Sequence, residues 1–185
     1  MALTKTPVCD FGKKAEDFKL KSIENKIITL NDVKGEKATL IMFICNHCPY
    51  VKAIIRDLAK DCNQLKKDGI NSVAIMSNDT KNYPEDSFDN MIKFAKGNNF
   101  GEINYLIDET QDIAKKYGAV CTPDFFGYNK ELKLQYRGRF RELKDLKPVS
   151  GGDSDLKIAM KMISETQAGP KEQIPSMGCN IKWFN

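Results

Sequence analysis

Apolar positions along the 185 residues fall into two spacings, one of strands and one of helices. Thr39-Leu40-Ile41-Met42-Phe43-Ile44 is a continuous apolar run of β-formers, the pattern of a strand buried on both faces. Val73-Ala74-Ile75-Met76 repeats it. Between them Val51, Ile54, Ile55, Leu58, Cys62 and Leu65 recur at three- and four-residue steps, one face of a helix. Pro49 suits the first turn of that helix, where its missing N–H is not needed. Lys66 and Lys67 favour the negative C-terminal end, and Gly69 stops it. Phe88, Met91, Ile92 and Ala95 predict a second amphipathic helix, entered near Pro84 and left at Gly97.

Shorter signals fill the rest. Lys26 to Leu30 reads as a strand with a turn at Gly35, and Asn104 to Ile107 as another. Thr110 is placed to cap a helix through Ile113, Ala114 and Tyr117 that ends at Gly118. Phe125 to Tyr128 and Leu132 to Tyr136 predict a hairpin around Asn129-Lys130. Leu156, Ala159, Met160 and Ile163 mark a last helix, with Asp153, Ser154 and Asp155 at its N-terminal end. Strands alternating with helices predict an α/β domain whose central sheet the closing hairpin makes mixed. With no repeat and no linker, the whole of 1–185 reads as a single domain, with an extension over about 1–37 and a tail over about 168–185.

Composition narrows the function classes. The charge is +4, from 29 basic and 25 acidic side chains spread over the whole length. Such a dispersed surface lacks the arginine and aromatic clustering of a nucleic-acid stripe, so no nucleic-acid partner is expected. No apolar stretch approaches the roughly 20 residues that span a bilayer, and the first residues carry no secretory h-region. A cytoplasmic protein, with no membrane partner, is the expectation. Six cysteines are too few for a disulfide scaffold, and where thiols are kept reduced a close pair is catalytic or metal-binding.

Cys45-Asn46-His47-Cys48 is that pair, between the buried strand and its helix. Two cysteines three apart in a first helical turn can meet at disulfide distance. The helix dipole and exposed N–H groups are expected to lower the Cys45 pKa and make it the nucleophile. Cys48, one turn further in, then resolves the mixed disulfide. His47, the only histidine, lies between the sulfurs, where its dipole or charge would favour the reduced thiolate.

The strand–CxxC–helix order resembles the thioredoxin superfamily, and Thr122-Pro123 looks like its threonine–cis-proline element facing the redox pair. There a proline removes an N–H, and the residue before it can pair with an extended substrate by strand addition. Ala15-Glu16-Asp17-Phe18-Lys19-Leu20 with Ile27 to Gly35 resembles the N-terminal extension of the redoxins. Cys45-Asn46-His47-Cys48-Pro49-Tyr50-Val51, Tyr136-Arg137-Gly138-Arg139 and Gly178-Cys179-Asn180-Ile181-Lys182-Trp183 resemble a peroxiredoxin-like subgroup of the AhpC/TSA redoxins. The resemblance implies a thioredoxin-like fold and thiol–disulfide exchange at Cys45, Cys48, His47, Thr122 and Pro123. It implies no cofactor and no metal. The expected substrates are a disulfide-containing protein or a small thiol or peroxide, with a cellular dithiol reductant closing the cycle.

Two other readings compete. A thiol peroxidase would carry Pro-x-x-x-Thr-x-x-Cys, but Ala38 and Met42 stand at the proline and threonine positions before Cys45. Its arginine would have to come from Arg137 or Arg139. A non-enzymatic zinc module needs four ligands, and one CxxC with His47 inside its loop supplies too few. Among the other cysteines, Cys62 reads as core and Cys9 as incidental. Cys121 reads as core filling next to the site. Cys179 reads as packing ahead of a resolving role.

Overall fold

In the computed structural model, which describes residues 3–7, 10–149 and 151–184, the longest apolar run lies in the middle of a seven-stranded sheet. Cys9 falls outside the described residues. The chain enters through β1 (Leu3–Lys5), β2 (Lys19–Ser22), β3 (Ile27–Thr29) and the one-turn helix α1 (Leu30–Val33). There follow β4 (Ala38–Phe43), α2 (Pro49–Lys67), β5 (Ile70–Met76), α3 (Phe88–Gly97), β6 (Asn104–Ile107) and α4 (Asp112–Tyr117). The second half holds β7 (Cys121–Thr122), β8 (Asp124–Asn129), β9 (Leu134–Tyr136), β10 (Leu143–Lys144), β11 (Lys147–Pro148), α5 (Asp155–Thr166) and β12 (Met177–Asn180).

The large sheet runs β3-β2-β6-β5-β4-β8-β9. Its centre, β4 with β5 and β5 with β6, is parallel, while β8 joins β4 antiparallel and β9 folds back on β8. The sheet is therefore mixed, as the hairpin requires. Period-two alternation sends Leu40 and Met42 into one apolar core with α2, α3 and α5. Ile41 and Phe43 enter the other, with α1 and α4. Helices on both faces explain why β4 has no polar side: each such side chain contributes about 1.5–3 kcal/mol by leaving water. Gly127 lets α5 approach β8, since a Cβ there would lie 2.7 Å from Met160 Sδ.

The structure moves some boundaries. Leu30 was expected to end a strand but opens α1, because Thr29 and Asp32 form a capping box. Thr110 is not the N-cap of α4. Gln111 is, and the Asp108 carboxylate accepts from the Ile113 and Ala114 N–H groups, leaving Thr110 only that of Asp112. Ser154 does cap α5, accepting from Lys157 N at 3.1 Å while donating to Asp61 on α2. Among the described residues no helix is long and apolar enough to cross a membrane.

A second sheet was not foreseen. It has the order β1-β12-β7 and is antiparallel throughout. It brings the C-terminal segment back to Thr122.

Candidate active site

β4 carries the chain into the cysteine loop, and α2 begins directly behind it. The helix starts at Pro49 with Cys48 as its N-cap, so the CxxC precedes the helix and does not form its first turn. The helix end therefore serves Cys48, not Cys45 as the spacing suggested. Both are free thiols and both are buried.

Thr122 and the cis-linked Pro123 face the pair. Thr122 Oγ1 lies 3.3 Å from Cys45 Sγ, and the Cys48 thiol donates to the Thr122 carbonyl at 3.1 Å. The structure thus brings together Cys45, Cys48, Thr122 and Pro123. The Thr122 backbone edge, expected to be open for an extended substrate, is occupied: β12 pairs with it, Cys179 opposite Thr122. Gly178 permits the approach, because a Cβ there would sit 2.1 Å from the Thr122 carbonyl oxygen.

Cys179 is buried in the core, as the packing reading expects, and the pairing also brings it to the site. Its Sγ lies 3.1 Å from Cys48 Sγ, so the site holds three thiols. No spacing rule marks a residue 131 positions away; only the neighbouring Ile181-Lys182-Trp183 motif hinted at it. Cys62 and Cys121 remain core residues. Burial pushes the Cys62 thiol up to about 12 and raises Cys121 as well.

The thiols share their charge unequally. The Cys45 thiol, as hydrogen-bond donor to Cys48, pulls the Cys48 pKa down to about 5 against burial; the Cys179 thiol and the Val51 and Cys179 N–H groups add to this. The same hydrogen bond, with burial and the nearby Asp86 charge, raises Cys45. The lower pKa of the two therefore falls on Cys48, where the spacing had put it on Cys45. Two contacts of the protonated form oppose this shift, because as a thiol Cys48 donates to the Thr122 carbonyl and to Cys179 Sγ.

His47 reaches Asp86, a residue that sequence reasoning missed. Its Nδ1 lies 2.7 Å from Asp86 Oδ2, and its ring stacks on Tyr83. Asp86, fully buried, also accepts from Asn78 Nδ2 and from the N–H groups of Asn46 and His47. Tyr105 Oη donates to Asn46 Oδ1 at 2.9 Å and fixes the other side of the loop. The Asp86 hydrogen bond raises the His47 pKa. Burial pushes Asp86 up, yet its hydrogen bonds to His47 and Asn78 leave it below the ordinary carboxylate range. A positive His47 is thus paired with an adjacent negative charge, which weakens the lone-cation effect expected of it. Atoms of Cys45, His47 and Asp86 lie within 4.8 Å of one another, so folding offers a cation more ligands than the spacing promised.

The arginines go elsewhere. Arg137 pairs with buried Asp124 at 3.0 Å and lies over the Phe126 ring, while Arg139 binds Asp155 at 2.6 Å.

Comparison with known proteins now bears on this geometry. The signature of the AhpC/TSA family matches residues 11–139. The chain belongs to that family. Among solved structures, an uncharacterized conserved protein from Geobacillus kaustophilus is 39% identical with a TM-score of 0.94, covering 100% of this chain and 97% of its own. A hypothetical protein from Sinorhizobium meliloti 1021 is 37% identical with a TM-score of 0.90, covering 98% of each chain. A thioredoxin domain of a thiol-disulfide oxidoreductase from Bacteroides vulgatus is 19% identical with a TM-score of 0.59, covering 70% of this chain and 89% of that one. That likeness is one of fold: this AhpC/TSA protein has the thioredoxin-like architecture. No curated protein matches it. Family membership supports a redox role.

Proposed function

We propose that this AhpC/TSA protein is a thiol–disulfide oxidoreductase working through Cys45 and Cys48. The observation that carries the reading is the convergence of both sulfurs on Thr122-Pro123, with Cys48 on a helix N-terminus. The reduced pair holds one proton, as a Cys45 thiol donating to a Cys48 thiolate. Cys45 attacks a substrate disulfide while its proton passes to Cys48, and the first substrate sulfur leaves with the bond's electron pair. That sulfur takes the proton from Cys48. The Cys48 thiolate then attacks Cys45 Sγ, closes the Cys45–Cys48 disulfide and releases the second substrate sulfur as a thiolate. A cellular dithiol reductant, of the kind a cytoplasm maintains, returns the pair to the start. His47 with Asp86 holds the loop and balances its charge.

The peroxidase alternative gains a hydroxyl at Cys45 from Thr122, but Arg137 and Arg139 are committed to carboxylates. A peroxide at Cys45 would find neither of these arginines for its departing oxygen, and the His47 beside it is already paired with Asp86. The deciding experiment compares insulin reduction, peroxide consumption and zinc content in wild type, Cys45→Ser and Cys48→Ser. Insulin reduction should fall at least 100-fold in both variants, with peroxide turnover low throughout. Peroxide turnover exceeding disulfide exchange would establish the peroxidase instead. One tightly held zinc per chain without exchange would establish the binding module.

A further inference from the structure

The Cys45–Cys48 chemistry leaves one thiol of the cluster unused. Cys179 Sγ lies 3.1 Å from Cys48 Sγ, and a disulfide needs 2.03–2.05 Å, so closure takes a movement of only about 1 Å. Three features hold it there. β12 pairs Cys179 with Thr122, Gly178 lets the strand lie against the Thr122 carbonyl, and β1 covers the far side of β12. Cys48 is thus placed between two sulfurs, Cys45 on its own loop and Cys179 on the tail.

We propose that Cys179 is a third redox-active thiol, which exchanges with the Cys45–Cys48 disulfide to form a Cys48–Cys179 disulfide. The inference rests on the exchange reading above, because that reaction generates the disulfide it consumes. The Cys179 sulfur attacks Cys48 Sγ; the S–S bond between Cys48 and Cys179 forms and that between Cys45 and Cys48 breaks. The electron pair of the broken bond goes to Cys45 Sγ, which ends with the proton that Cys179 gives up. One disulfide is present before and after, so no outside oxidant or reductant is required. Burial, reinforced by the neighbouring Cys48, holds the Cys179 thiol up at about 12 in the reduced site. Oxidation of the pair removes the Cys48 charge, and the Lys182 ammonium still favours the Cys179 thiolate. Cys179 is therefore protonated while the pair is reduced and more acidic once it is oxidised. The outcome is a free Cys45 thiol in a chain that still carries its oxidising equivalent.

Oxidised glutathione and disulfide mapping of the full chain test this. In Cys45→Ser, glutathione attached to Cys48 should be expelled by Cys179, with two thiols lost and no glutathione retained. Its lifetime on Cys48 should be at least 100-fold shorter than in Cys45→Ser/Cys179→Ser. Wild type at graded oxidation should give both the Cys45–Cys48 and the Cys48–Cys179 linkages. Stable glutathione on Cys48 with Cys179 still alkylatable, or a wild type holding only Cys45–Cys48, would overturn the proposal. The Cys179→Ser chain separates the two ideas. If it closes Cys45–Cys48 while wild type never yields Cys48–Cys179, the proposal fails and the exchange reading stands; if it cannot close Cys45–Cys48, the exchange reading fails and the proposal with it.

Discussion

Cys48 caps a helix whose first N–H groups have no partners within the helix, and a hydrogen-bonded thiol lies beside it. A depressed thiol pKa in the reduced protein makes redox poise depend on pH in a defined way. Below pH about 5 the reduced pair binds two protons, and above it only the Cys45 proton. The midpoint potential should therefore fall by about 59 mV per pH unit below that point and about 30 mV above it. Glutathione or dithiothreitol titrations between pH 4 and 8 measure the break, and one unbroken slope would refute the assignment. For stability the sign is that of a depressed acid. The reduced fold gains stability from Cys48 that is fully present above the unfolded thiol pKa of about 8.5, and lost as pH falls through about 5. The oxidised protein has no such titration, so on acidification the reduced protein's denaturation midpoint should fall relative to that of the oxidised protein.

Asp86 and His47 act on the same thiols with opposite signs. The Asp86 charge raises Cys45, and a protonated His47 paired with Asp86 would oppose that charge. Asp86→Asn should lower the apparent pKa of the dithiol and His47→Ala should raise it, as read by thiolate absorbance. Shifts in the same direction would mean that the pair acts only by shaping the loop. Asp86→Ala leaves His47, Asn46 and Asn78 without their shared acceptor and should cost about 3–5 kcal/mol in chemical denaturation.

Among the elements, β12 is the one whose position depends most on a single residue. A side chain at Gly178 meets the Thr122 carbonyl oxygen, which the cis-linked Pro123 and the β8 pairing hold in place. Gly178→Val should lift β12 away, at a cost of about 1–3 kcal/mol. Amide exchange over 177–180 should quicken while β4 and β5 stay protected, and alkylation of Cys179 should rise at least tenfold. The same elements show what the sequence made legible. β4, β5, α2 and α5 were readable because a strand buried on both faces is uniformly apolar and a half-buried helix repeats its apolar positions. Cys45, Cys48, Thr122 and Pro123 were readable because local motifs carry them. β1, β2, β10, β11 and β12 have two to four residues each, too few for a period to show. Asp86 and Cys179 escaped for a different reason: each joins the site by tertiary contact across 39 or 131 positions. Pro49 was read rightly into the first turn, but the two cysteines expected in that turn precede it, so the helix end reaches Cys48 and not Cys45.

Over the whole molecule a groove of about 450 Å³, lined in part by Tyr50, Ile54, Pro123, Arg139 and Phe140, runs beside Pro123, while Cys45 and Cys48 themselves lie buried behind its wall. A small disulfide makes no demand on the Thr122 strand edge. A polypeptide that binds by strand addition needs the Thr122 edge, and there the chain competes with itself. The polypeptide's apparent affinity is then its intrinsic affinity scaled by the fraction of molecules with β12 released. If release is slow compared with capture, turnover has a ceiling that no substrate concentration exceeds. Unrelated polypeptides should share one maximal rate, fixed by how often the tail lets go, while a small disulfide such as oxidised glutathione should exceed it. Stopped-flow comparison of the two substrate classes would read that opening rate directly from catalysis, making the enzyme its own clock for the detachment of a four-residue strand.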